Sequence, residues 1–114
     1  MSAITTHVLD LTSGLPARGV AVRLEIDRGD RGWTALGERV TDDDGRVRDF
    51  MPQGARLDPG RYRLTFRSGE YFRAHGASAF HPEVVVTFEV ADASRHHHVP
   101  LLLSPFGYTT YRGS

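Results

Sequence analysis

Cysteine and lysine are both absent from this chain of 114 residues, and each absence removes a chemistry. Without Cys there are no disulfides, thiolate nucleophiles or Cys-ligated zinc and iron-sulfur sites, and without Lys there is no Schiff-base catalysis. An excess of charge of either sign is missing as well: 14 Arg stand against 14 Asp and Glu, a formal net charge of zero. The long-range field that draws proteins onto nucleic acid or anionic membranes is therefore lacking, so neither is expected as a partner. Uninterrupted apolar runs such as Leu101-Leu102-Leu103 fall far short of a membrane span. The opening residues, Met1-Ser2-Ala3-Ile4-Thr5-Thr6-His7, show neither the basic nor the apolar stretch of a secretory leader, which sets the expectation of a soluble, cytoplasmic protein. Any chemistry must come from His, Arg, Asp, Glu, Ser, Thr or Tyr.

The length predicts one domain, 1–114, with room for one real core. Gly and Pro punctuate short runs as they do between strands. Segment 19–26 alternates most clearly, with Val20, Val22, Leu24 and Ile26 on one face and Arg23 and Glu25 on the other. Segment 61–67 repeats the pattern with Tyr62, Leu64 and Phe66. Further strands are predicted over 4–11, 33–41, 46–50, 84–90, 96–103 and 107–112. Residues 12–16 read as a turn, and so does Asp42-Asp43-Asp44-Gly45, where Gly tolerates positive φ. The one helix candidate, 68–76, has Ser68 as a possible cap and Gly76 as a stop. Seven or eight short strands at hairpin spacing with one short helix predict an all-β sandwich with Greek-key connections. Such a sandwich is thin, so a pocket is expected on an outer face or between subunits.

His96-His97-His98 is the most conspicuous cluster. Strand alternation places His96 and His98 on one face with Pro100 and Leu102, and His97 on the other with Val99, Leu101 and Leu103. Two His at i and i+2 can bind a metal, but no third ligand at sensible spacing is evident, although His7 or an acid could supply it. His7 shares a face with Thr5 and Leu9, and a lone strand His is more often a surface or satisfied core residue than a catalyst. Arg46 follows a turn, where Arg is usually solvated, and the terminal Tyr111-Arg112-Gly113-Ser114 would pass for a frayed end. Taken singly, none of these signals is specific.

Together they are, because the chain resembles the transthyretin family and, within it, the 5-hydroxyisourate hydrolases. The resemblance runs through His7-Val8-Leu9-Asp10 with Gly14-Leu15-Pro16-Ala17, then Thr41 with Asp44-Gly45-Arg46. It continues through Tyr71-Phe72, Phe80-His81-Pro82-Glu83-Val84, His98-Val99-Pro100-Leu101-Leu102-Leu103-Ser104-Pro105-Phe106-Gly107-Tyr108 and Tyr111-Arg112-Gly113-Ser114. Hormone-carrying transthyretins look similar through Leu-Leu-Ser-Pro but lack this terminus and the motif histidines, which favours the hydrolase branch. The chain departs from the common pattern at His97, where Tyr is usual, and at Thr109, where Ser is usual. Neither is expected to abolish activity.

The resemblance implies a prealbumin-like sandwich of two four-stranded sheets with one short helix. It also implies a homotetramer, a dimer of dimers, with active sites at the dimer-dimer interface. Carried over, the catalytic set is His7, Arg46, His98 and Ser114, with Tyr111, Arg112 and Gly113 beside His7 and Arg46 in substrate binding. The implied reaction is hydrolytic opening of 5-hydroxyisourate in urate breakdown, with no metal and no cofactor. In that reaction His98 is expected to take the water proton and His7 to orient or relay protons, although the division between the two stays open. Arg46 is expected to hold the oxyanion and keep a neighbouring imidazole neutral, and Arg112 to help bind the substrate. The competing expectations are a non-catalytic carrier of a small aromatic ligand and an Ig-like structural domain.

Overall fold

The computed structural model describes residues 3–114; Met1 and Ser2, the first two of the expected 1–114 domain, lie outside the described residues. The elements follow as β1 (Ile4–Asp10), β2 (Leu15–Pro16), β3 (Ala21–Asp27), β4 (Trp33–Val40), β5 (Arg46–Val47), β6 (Gly60–Phe66), α1 (Ser68–Ala74), β7 (Val84–Val90), β8 (His97–Ser104) and β9 (Gly107–Thr110). One sheet has the order β4-β3-β6-β7, and the other sets β2, β1, β8 and β9 side by side, with β5 also paired to β1. β1 runs parallel to β8, whereas β2 and β5 meet β1 antiparallel.

The alternation expected from the sequence explains the packing. Val22, Leu24, Leu64 and Phe66 from one sheet and Ile4, Val8, Leu101 and Leu103 from the other are fully buried in a shared core. Each such side chain stabilises the fold by about 1.5–3 kcal/mol. His97 lies on the core side of β8 and is buried. Among the described residues, no helix is long and apolar enough to cross a membrane.

Four expectations need correction. The sheet that carries β1 has five strands rather than four, because Leu15–Pro16, expected as turn, and the short Arg46–Val47 both dock on its free edge. β5 ends at Val47 instead of running to Phe50, whose ring turns into the core. Ser68 is the first residue of α1 rather than its cap; Arg67 holds the cap position without a side-chain hydrogen bond, and Ser68 is buried. Glu25, expected on a solvated face, is buried because Arg63 covers it: Arg63 Nε donates to Glu25 Oε1 at 2.8 Å, while its guanidinium lies 4.2 Å from the centre of the Trp33 ring.

Candidate active site

Three strands assemble the site on the outer face of the five-stranded sheet. β1 sets Thr5 opposite His98 of β8, and on its other side sets His7 opposite Arg46 of β5. Directly opposed residues project from the same face of a sheet. Thr5, His7, Arg46 and His98 thus lie together, away from the core face that holds Val8 and Leu101.

A turn built for the purpose delivers Arg46. Asp42 Oδ1 accepts the backbone N–H groups of Asp44 and Arg46, both at 2.9 Å, and Gly45 N–H donates to the Asp42 carbonyl at 2.9 Å. Gly45 has φ +74°, and a Cβ there would collide with the Val8 carbonyl, so only glycine lets the turn press against β1. The two backbone bonds and Arg48 hold the Asp42 carboxyl below its ordinary range. Arg48 is taken up by Asp42 at 2.6 Å and Asp44 at 3.6 Å. Among the described residues, no carboxylate lies within ion-pair distance of Arg46. Its guanidinium is left for something else.

The C-terminal segment walls one side of the site. Gly113 N–H donates to the His98 carbonyl at 2.8 Å, extending the β8–β9 ladder past the end of β9. Ser114 then joins Thr5, Arg46, Arg48, His96 and His98 around a hollow of about 390 Å³. His7 does not line this hollow and adjoins it through Arg46.

Electrostatics keep the imidazoles neutral. Burial first, then the Arg46 guanidinium, then His96 and His7, hold His98 below the ordinary histidine value of 6.5. Burial and then Arg46 act the same way on His7, partly offset by its contacts with Asp44. At neutral pH both rings carry a free lone pair able to take a proton, beside a guanidinium that cannot lose its charge.

Tyr111 and Arg112 line a second hollow of about 220 Å³, with His97, Val99, Val86 and Phe88, and His98 borders both hollows. Leu101 pairs with Thr110 and His98 with Gly113, a register that sets Tyr111 opposite Pro100 and Arg112 opposite Val99, both exposed past the end of β9. Arg112 there helps burial push His97 down. Four residues lining the hollow, Thr5, Thr6, Arg48 and His96, were given no part in the site expected from the resemblance. The Thr5 hydroxyl stands 2.7 Å from His98 Nδ1 and 2.9 Å from His96 Nε2. The same-face spacing of His96 and His98 was a signal for His96; Thr5 had only its place on the His7 face. Among the described residues, no three His, Asp or Glu converge as a metal site would require.

The result is a two-sheet β-sandwich whose outer face carries a hollow lined by imidazoles and a guanidinium, groups whose chemistry suits proton transfer and anion stabilisation. The chain belongs to the HIUase/Transthyretin family, whose model matches residues 4–113. It is 46% identical over 111 residues to the 5-hydroxyisourate hydrolase of Salmonella dublin, covering 97% of this chain and 80% of that one. Its fold superposes on the 5-hydroxyisourate hydrolase of Klebsiella pneumoniae with a TM-score of 0.84 at 35% identity, covering 97% and 92% of the two chains. It also superposes on sea bream transthyretin in complex with thyroxine, with a TM-score of 0.91 at 32% identity, covering 98% and 95%.

Proposed function

We propose that this chain is a 5-hydroxyisourate hydrolase of urate breakdown, opening the substrate ring to 2-oxo-4-hydroxy-4-carboxy-5-ureidoimidazoline. The observation that carries the reading is the meeting of Arg46, His98 and Ser114 around one hollow, with His7 opposite Arg46, in a relative of named hydrolases. His98, neutral at pH 7, takes a proton from water as its oxygen bonds to the ring carbonyl carbon. Arg46 stabilises the oxyanion that forms, the ring C–N bond breaks, and the proton passes to the departing nitrogen. His7 relays or orients, and Ser114 binds from the C-terminal side. Tyr111, Arg112 and Gly113 serve by fixing the tail that presents Ser114. A carrier role like that of the thyroxine-bound sea bream protein leaves two neutral imidazoles beside an unpaired guanidinium without a purpose.

The hollow is open in the single chain, and we place it at the dimer-dimer interface of a homotetramer. Supporting this, β7 and β9 are outer strands with no intrachain partner on one side among the described residues, and Val85 and Tyr108 on them are exposed. The whole chain acts as one domain.

The test is to generate 5-hydroxyisourate with urate oxidase and follow its ultraviolet decay with and without the protein. Accelerated decay that His98→Asn abolishes is the expected result; decay at the spontaneous rate overturns the reading. Light scattering is expected to give four times the chain mass, and a stable, active monomer would contradict the interface site.

A further inference from the structure

Thr5 lies directly opposite His98 in the β1–β8 ladder and is 4% exposed, while His96 stands exposed just before β8. Its Oγ1 lies between the two rings, 2.7 Å from His98 Nδ1 and 2.9 Å from His96 Nε2, with ring centres 6.2 Å apart. The neighbouring Thr6 hydroxyl is spent on the Val99 carbonyl at 2.5 Å, so the two threonines have different duties. A hydroxyl has one proton to give. Thr5 can therefore donate to one ring at most, while its oxygen can accept from both, so at least one of the two facing ring nitrogens carries a proton and donates to Oγ1.

Three arrangements satisfy both contacts. In one, Thr5 donates to His98 Nδ1 and accepts from His96 Nε2–H; neutral His98 then carries its proton on Nε2 and has no lone pair left for a substrate water. In the other two, His98 Nδ1–H donates to Thr5, whose own proton goes to His96 Nε2 or, where His96 Nε2–H also donates to Oγ1, elsewhere. His98 Nε2 is then a free base. When Nε2 takes a proton, nothing upstream has to turn, because Nδ1 already donates. Only the arrangements in which His98 Nδ1–H donates to Thr5 accommodate both states that a general base passes through.

We infer that Thr5 and His96 are positioning residues that hold His98 in the Nδ1–H tautomer, so that Nε2 faces the reaction as the base. This rests on the hydrolase reading for its catalytic consequence, while the tautomer itself does not. The Thr5 hydroxyl acts as an orienter, as a carboxylate or carbonyl does behind a catalytic imidazole elsewhere.

The experiment combines ring-nitrogen NMR of ¹⁵N-histidine-labelled protein with steady-state kinetics. It compares wild type, Thr5→Val, Thr5→Ser and His96→Ala; the last removes an exposed side chain, so it keeps the test open if Thr5→Val fails to fold. Wild-type His98 is expected to show a protonated Nδ1 and an unprotonated Nε2. Thr5→Val and His96→Ala should shift His98 toward the Nε2–H form and lower kcat by about tenfold to a hundredfold, the usual loss on removing an orienting partner, with KM little changed. Thr5→Ser should restore both the tautomer and kcat. An Nε2–H His98 in the wild type overturns the inference, and so does a tautomer or a kcat that none of the variants moves. A wild type that does not accelerate ring opening refutes the hydrolase reading instead, and the nitrogen shifts then decide the tautomer on their own.

Discussion

Gly113 carries no side chain, and the site depends on that. A Cβ there would lie 2.5 Å from His98 Cδ2 and 3.2 Å from Pro100 Cγ, so even a methyl group must displace the imidazole or lift the tail. Gly113→Ala is expected to lower kcat/KM by about tenfold or more, since a shift of 1 Å in a reacting group is enough for that, while Tm stays within a few degrees of wild type. An unchanged rate would mean that the tail is not seated against His98 during turnover. Arg46 offers a second test at this scale. It is the second cause, after burial, of the lowered pKa of His98 and of His7. Arg46→Gln should therefore raise both titrations while leaving them below 6.5, because burial remains. NMR titration of the ring protons reads this directly. Where activity survives, the acid limb of kcat/KM should move to higher pH, because the neutral base exists only above its own pKa.

The strand and the helix each place chemistry that their residues could not place alone. β1 is flanked by β8 on one side and by β5 and β2 on the other, and so it gathers His98 and Arg46 around Thr5 and His7. The helix α1 is tied to the end of the same strand by a buried bond, Tyr71 OH donating to Asp10 Oδ2 at 2.8 Å. Burial first, and then Asp10, push the Tyr71 hydroxyl up to about 12, so it stays a donor at any working pH. Tyr71→Phe leaves the buried Asp10 with the Thr12 N–H at 2.8 Å on its other oxygen but strips this partner. The expected loss is about 1–3 kcal/mol of stability, read as a Tm lower by several degrees, with kcat nearly unchanged because the bond lies away from His98. A Tyr71→Phe variant as stable as wild type would show that the helix docks by packing alone.

For the whole molecule, the shifted groups give stability a definite pH dependence. His7, His97 and His98 all have folded values below 6.5, each chiefly through burial, so the unfolded chain binds protons more readily than the folded one. Stability is fully present above 6.5 and falls as the pH drops through the window between that value and the lowered ones. Glu25 and Asp42, held below 4.5 and 3.8 by hydrogen bonds from Arg63 and from the Arg46 backbone, add a second loss at more acid pH. Thermal unfolding from pH 7.5 to pH 5 is expected to show Tm level above about 6.5 and declining below it, and His97→Tyr should lessen that decline. A Tm independent of pH over that range would mean the histidines are less buried in solution than here.

How far the sequence reached follows from what periodicity encodes. Alternation along a strand is a local property, so the apolar faces of β3 and β6, the inward turn of His97 and the two-sheet architecture were legible from residues such as Val22, Leu64 and His97 themselves. The motif residues His7, Arg46 and His98 were legible too, through a resemblance that spans the chain. Register is not local: it is set by which strand lies beside which, and a shift of one residue reverses every face. Hence the parallel pairing of β1 with β8 had to come from the tertiary structure. So did the docking of Leu15–Pro16 as a strand, the placing of Arg112 beside His97 and Val99, and the arrival of the Thr5 hydroxyl between two imidazoles more than ninety positions away in the sequence. The sequence by itself determined the faces and supplied the chemistry; the tertiary structure decided which groups meet, because long-range pairing is a property of the packed core and not of any segment within it.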